Sequence, residues 1–169
     1  MAYDYDKLYA STPDALGPPF KEFEAFFDAI TRPLRVVDLG CGQGRDALFI
    51  ARLGHQVLAV DMSPHGIRDI EKVASAEGLS ITGIVADICD SCPDGFFDIV
   101  LIDRTLHMLD PQDRRHVMSK VMAHVAGGGW LLIADERKNL PDLRRQIVTD
   151  ERSWTVTKEA KDFLFAQVA

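Results

Sequence analysis

Val36-Val37-Asp38-Leu39-Gly40-Cys41-Gly42-Gln43-Gly44 is the stretch that decides how the chain is read. Leu34, Val36 and Val37 are apolar and mostly β-branched, and they predict a short buried strand. Three glycines at alternate positions then allow a tight turn and close approach of backbone to a ligand. From Arg45 to Leu53, the residues Ala47, Leu48, Ile50, Ala51 and Leu53 recur at helical spacing. A strand, a glycine loop and a helix in this order aim backbone N–H groups and the positive end of a helix at one ligand. A dinucleotide fingerprint would need glycine at loop positions one, three and six, which are Gly40, Gly42 and Arg45. Arg45 fails that test, because its side chain obstructs helix–strand packing and pyrophosphate approach. Asp38, on the strand before the first glycine, would repel a pyrophosphate but suits an ammonium group.

The sequence DLGCGQG, residues 38–44, resembles the first motif of class I S-adenosylmethionine-dependent methyltransferases. GQGRDALFIARLGHQVLAVD is most similar to the small tellurite-resistance-type and related small-molecule members of that family. The resemblance runs from about Tyr5 to Ile133. It implies a Rossmann-like, doubly wound three-layer α/β/α sandwich with a mostly parallel sheet and a C-terminal antiparallel hairpin strand.

Composition fits one ordinary globular domain of 169 residues, 47% hydrophobic and 27% charged. We divide it into an amino-terminal flap and helix (1–32), a cofactor-binding core (33–135) and a minimal C-terminal helix and hairpin (136–169). A net charge of −7 argues against a nucleic-acid backbone as the main partner. No apolar run is long enough for a bilayer and no secretory pattern opens the chain, so the expectation is a cytoplasmic protein. Three cysteines fit a reducing compartment. Cys89-Asp90-Ser91-Cys92 has the C-x-x-C spacing, but further zinc ligands at matching spacing are missing, and we expect two incidental loop thiols and no metal.

Along the chain, Tyr3, Tyr5 and Tyr9 are either partly buried against the domain or, as the resemblance implies, part of a flap over the site. Pro18 and Pro19 open a helix to about Ile30, with Phe20, Phe23, Phe26, Phe27 and Ile30 as a core face. Residues 55–60 predict the second strand. Asp61, 21 residues past Gly40, falls at its tip, placed to accept two ribose hydroxyls. Ser63 and Pro64 start a helix that ends at Gly78. Residues 81–86 predict a third strand and 96–102 a fourth, ending at Asp103. Asp110-Pro111 starts a further helix, whose Val117, Met118, Val121, Met122 and Val125 form a core stripe, with His116 and His124 facing solvent. Gly127-Gly128-Gly129 is expected to break that helix before a fifth strand at 130–134. A short helix (141–148) and a hairpin turning at Glu159-Ala160-Lys161 complete the pattern.

The resemblance implies S-adenosylmethionine as cofactor. Asp38 and Gly40 would hold its methionine end, Gly42 and Gly44 admit the backbone, and Cys41 belongs to the same cofactor-binding loop. Met62 would lie along the adenine, with Asp87 and the Ile88 N–H at the adenine edge. Strand ends carry the ligand crevice in such sheets, so Asp103, Arg104 and His107 are expected beside the reacting methyl group. His107 is the candidate base for a hydroxyl substrate, or a satisfied histidine; Arg104 either holds an anionic substrate or caps the rim; Tyr5 is the third catalytic candidate. The expected activity is methyl transfer to a small thiol, amine, hydroxyl or chalcogen oxyanion. The alternatives are a non-catalytic cofactor-binding regulator and an NAD-dependent oxidoreductase. With little chain after the fifth strand, the substrate is small or a second subunit, as in a homodimer, completes the pocket.

Overall fold

A computed structural model describes residues 4–91 and 93–169. Tyr3 and Cys92 therefore lie outside the described residues. The sheet has seven strands in the order β3-β2-β1-β4-β5-β7-β6, and the chain forms two compact units, residues 1–87 and 88–169.

In the first unit, helices α1 (Tyr5–Ser11) and α2 (Lys21–Asp28) precede β1 (Arg35–Leu39). Then follow α3 (Arg45–Arg52), β2 (Gln56–Asp61), α4 (Pro64–Glu77) and β3 (Ile81–Val85). β1 pairs parallel with β2, and β2 with β3, the pattern of two βαβ crossovers. The apolar run of β1 is buried because parallel strands are covered on both faces; Val36, Val37 and Leu39 are all at 2% exposure or less. α2 is shorter than the sequence predicts. Of its five expected core residues only Phe23 and Phe27 are fully buried, while Phe20, Phe26 and Ile30 are half-buried. α4 has the expected ends: Ser63 Oγ accepts the Gly66 N–H at 3.0 Å, and Gly78 closes it at φ 66°.

The second unit contains β4 (Phe97–Asp103), α5 (Pro111–Ala123), β5 (Val125–Ala134), α6 (Leu140–Val148), β6 (Trp154–Ala160) and β7 (Phe163–Val168). A 3₁₀ turn, Leu106–Met108, lies between β4 and α5. β4 and β5 are parallel, and β7 enters antiparallel between β5 and β6, as the C-terminal hairpin predicts. The core stripe of α5 is buried along its length. Two expectations change. The three glycines do not break the helix, which has ended at Ala123; they form the irregular start of β5, where the register against β4 shifts between Phe97 and Ile99. The hairpin turns at Lys161-Asp162 rather than 159–161, with Lys161 at φ 55°. His124 is half-buried, its Nδ1 lying 2.7 Å from the Gly95 carbonyl. Among the described residues no helix is long and apolar enough to cross a membrane.

Candidate cofactor site and candidate acid–base site

The glycine loop leaves β1 through Gly40, Gly42 and Gly44 at φ 76°, 56° and 85°, a left-handed run that only glycine adopts without strain. Space is restricted as well. A Cβ on Gly42 would lie 2.6 Å from Tyr9 Oη, and one on Gly44 would lie 2.5 Å from Ile70 Cγ1. The loop is pinned from β2, because the Gly40 and Cys41 N–H groups both donate to Val60 O. Asp61 Oδ2 accepts the Gly42 N–H at 2.8 Å while Oδ1 accepts the Ser63 N–H at 2.8 Å. Asp61 thus sits where its spacing predicted, at the end of β2, and it also braces the loop. Met62, next to it, is 66% exposed, an uncovered thioether of the kind that lies along a flat ring.

Asp38 is 1% exposed, and its Oδ2 has no hydrogen-bond partner among the described residues. Burial pushes its carboxyl well above the usual range; Asp46 adds to the rise, Arg45 opposes it and Asp61 adds again. Asp46, at 4% exposure on the first turn of α3, has the same character: Oδ2 pairs with Arg45 Nε at 3.3 Å and Oδ1 is buried without a partner among the described residues. Cys41 is buried, and that burial, with Asp38 and Asp61 nearby, raises its thiol well above the ordinary value, which disfavours the thiolate. Asp61 is raised by burial, an effect offset by the Ser63 and Gly42 N–H groups. Three acids and one guanidinium thus act on one another beside the glycine loop. A buried carboxylate oxygen without a donor is costly unless a cationic ligand supplies one. Asp46 escaped the sequence reading because nothing in its spacing marks it.

The amino-terminal segment is fastened over this loop. Asp6 accepts from Ser63 Oγ, the His65 N–H and His65 Nδ1, the last at 2.8 Å. Those bonds, led by Ser63, hold its carboxyl down at about 2. Gln43 from within the loop accepts the Ala15 N–H and donates to Thr12 O and Asp69. Arg45 donates to Leu16 O and stacks on Phe20 at 4.8 Å, which is where the residue that excluded a dinucleotide fingerprint goes. Tyr9 is buried against Gly42, and Tyr5 is half-buried with its ring 5.9 Å from that of Tyr9. Asp87 follows β3, half-buried, in this same unit.

In the second unit Ile88 is buried, and Asp103 ends β4 at 7% exposure. Arg104 then turns the chain at φ 54°, a left-handed conformation that is uncommon for a residue with a side chain. Its Nη2 donates to Asp162 at 2.9 Å, so it bridges to the β6–β7 turn. His107 lies in the 3₁₀ turn. Its N–H donates to Asp135 Oδ2 at 2.9 Å, and its Nδ1 lies 3.9 Å from the same oxygen. Asp135 is fully buried and takes further hydrogen bonds on Oδ1 from the Glu136 N–H and from Asn139 Nδ2. Arg114, also buried, donates to Asn139 Oδ1 and to both ends of the turn, Leu106 O and Leu109 O. The sequence reading missed Asp135, Asn139 and Arg114, whose role exists only once β5, α5 and the turn are together.

Residues 36–129 match the family model described as "Methyltransferase domain". The chain belongs to that family. It is 28% identical over 104 residues to the probable S-adenosyl-L-methionine-dependent methyltransferase TehB of Haemophilus influenzae, covering 62% of this chain and 36% of that one. It is 29% identical over 140 residues to 2-heptyl-1-hydroxyquinolin-4(1H)-one methyltransferase of Mycobacteroides abscessus, covering 80% and 61%. The chain thus spans from about a third to under two thirds of the length of these curated relatives. Magnesium protoporphyrin IX methyltransferase of Synechocystis PCC 6803 shares the fold, with a TM-score of 0.75 at 17% identity and 99% of each chain covered. The methyltransferase fold expected from the sequence is therefore the one observed, a mostly parallel α/β sheet with an antiparallel C-terminal strand.

Proposed function

We propose that this methyltransferase-domain chain binds S-adenosylmethionine and transfers its methyl group to a small-molecule nucleophile. The observation that carries this reading is the buried, unpartnered Oδ2 of Asp38 beside a left-handed glycine loop, with Asp46 adding negative charge. That set fits a cationic amino-acid end and disfavours a pyrophosphate. Similarity to a probable S-adenosyl-L-methionine-dependent methyltransferase and to a methyltransferase of 2-heptyl-1-hydroxyquinolin-4(1H)-one, a small molecule, supports the same reading.

In this reading Asp38 accepts from the ligand's ammonium group, the Gly40–Gly44 loop lets backbone approach it, and Asp61 takes the ribose hydroxyls on lone pairs left over from Gly42 and Ser63. Met62 covers the adenine, with Asp87 and Ile88 at its edge. The bound sulfonium supplies an electrophilic methyl group. The protein's part is to align a nucleophile with the methyl–sulfur bond and keep water away, which the fastened segment from Tyr5 to Phe20 favours. A thiolate, amine or oxyanion needs no base. For a hydroxyl substrate, His107 would take the proton. Asp103 is assigned to the cofactor, beside the reacting methyl group, and Arg104 to the substrate side.

Calorimetric titration with S-adenosylmethionine, S-adenosylhomocysteine and NAD tests the cofactor. Saturable binding of the first two without NAD is expected. Binding of NAD alone would overturn the assignment. Incubation with radiolabelled S-adenosylmethionine and pooled small thiols, amines and phenols then separates an enzyme from a binding protein that transfers nothing.

A further inference from the structure

His107 Nδ1 is buried and has no hydrogen-bond partner among the described residues, although the side chain as a whole is 24% exposed. Its exposure therefore comes from the other atoms of the ring. Asp135 Oδ2 lies 3.9 Å from Nδ1. That carboxylate cannot swing away. Oδ1 holds the Glu136 N–H at 2.8 Å and Asn139 Nδ2 at 2.6 Å, and Oδ2 holds the His107 N–H at 2.9 Å. Asn139 is in turn fixed by Arg114 Nη1 at 2.8 Å, and Arg114 clamps the turn by donating to Leu106 O at 3.0 Å and Leu109 O at 2.9 Å. The turn, Arg114, Asn139 and Asp135 close a ring of hydrogen bonds around His107.

Such an arrangement decides which nitrogen carries the proton. A lone pair on a buried Nδ1 facing a carboxylate oxygen is repelled, whereas an N–H there is attracted. Rotation of the imidazole that closes the gap by about 1 Å makes an ordinary hydrogen bond. We infer that Asp135 is a positioning residue that holds neutral His107 as the Nδ1–H tautomer, leaving the lone pair on Nε2 as the proton acceptor. Glu136, which follows Asp135 directly in the chain, is close enough to His107 for the two to interact, and Arg104 acts on Glu136 as well. Asn139 and Arg114 act through Asp135, keeping its carboxylate aimed at the ring. Use of Nε2 as a base rests on the methyl-transfer reading above; the tautomer does not.

The test is nitrogen-15 NMR of the whole chain labelled at histidine. Long-range ring correlations are recorded at a pH where the imidazoles are neutral, and His107→Gln identifies the signal. In the wild type, His107 should be mainly Nδ1–H, against the Nε2–H form that free imidazole side chains prefer. In Asp135→Ala and Asp135→Asn the majority should move toward Nε2–H. A wild-type ring that is Nε2–H overturns the inference, and so does an Nδ1–H ring that survives both substitutions. Should neither variant fold, the wild-type tautomer decides alone. Titration of the same samples with S-adenosylhomocysteine separates the two proposals, since lost binding with an intact Nδ1–H ring refutes only the cofactor assignment.

Discussion

Replacing Gly66 by Ala is the sharpest test of how the glycine loop is held. Gly66 lies in the first turns of α4, where alanine is ordinarily preferred to glycine by about 1 kcal/mol. The structure reverses that sign. A Cβ on Gly66 would sit 2.4 Å from Gly42 O and 2.9 Å from Gly42 C, both backbone atoms of the loop. A carbon–oxygen contact needs about 3.3 Å, so helix and loop must separate by about 0.9 Å. Overpacking of that kind costs ~1–3 kcal/mol, which leaves a net loss of up to about 2 kcal/mol after helix propensity. For a chain of this size that is a fall of up to ~8 °C in melting temperature. The displaced residue is the one whose N–H meets Asp61 Oδ2 at 2.8 Å, so cofactor affinity should fall as well, by tenfold or more on the order of one lost hydrogen bond to a charged group. Differential scanning fluorimetry and calorimetric titration with S-adenosylhomocysteine read both effects. A variant that melts at or above the wild-type temperature with unchanged affinity would show that the α4–loop contact does not set the geometry of the site.

Three further outcomes are expected. Asp38→Asn removes a buried carboxylate whose Oδ2 has no partner among the described residues, so the ligand-free protein should gain ~1–3 kcal/mol at neutral pH while binding of S-adenosylmethionine is lost; a variant that binds normally would refute the ammonium assignment. Because burial raises the Asp38 and Asp46 carboxyls, their contribution to stability is full below the ordinary carboxylate value and is lost as pH rises through the raised one. The melting-temperature gap between Asp38→Asn and wild type should therefore widen from pH 4 toward neutrality, and a constant gap would contradict it. Asp6 has the opposite sign. Held at about 2, it stabilises above the ordinary carboxylate range and loses that effect as pH falls, so Asp6→Ala should speed hydrogen exchange in α1 at neutral pH but not at pH 2. Asp61→Ala deprives two backbone N–H groups of their acceptor and should both lower the melting temperature and weaken cofactor binding severely; unchanged affinity would remove the central residue of the assignment.

What the sequence by itself determined follows from interactions local in the chain. Alternating glycines demanded left-handed backbone, Ser63-Pro64 and Asp110-Pro111 set helix starts through side-chain caps, and buried parallel strands showed as unbroken apolar runs. The spacing of Asp61 from Gly40 is a local property of one βαβ unit, and it placed that acid correctly. The tertiary structure alone decided everything that depends on two distant segments meeting. Gly66 is an unremarkable helix glycine until Gly42 O lies against it. Asp46 is one more first-turn acid until it shares a buried space with Asp38, and Asp6 is a surface acid until Ser63 and His65 meet it. Arg114, Asn139 and Asp135 lie on α5, before α6 and after β5, and nothing in their own neighbourhoods shows that they close a ring around His107. The three glycines before Trp130 mark the general limit. Composition signalled a break, but the parallel pairing of β4 with β5 supplied hydrogen-bond partners that let the strand begin at Val125. Chain-local signals fix where elements start and turn; which side chains become a site depends on long-range packing that leaves no periodic trace.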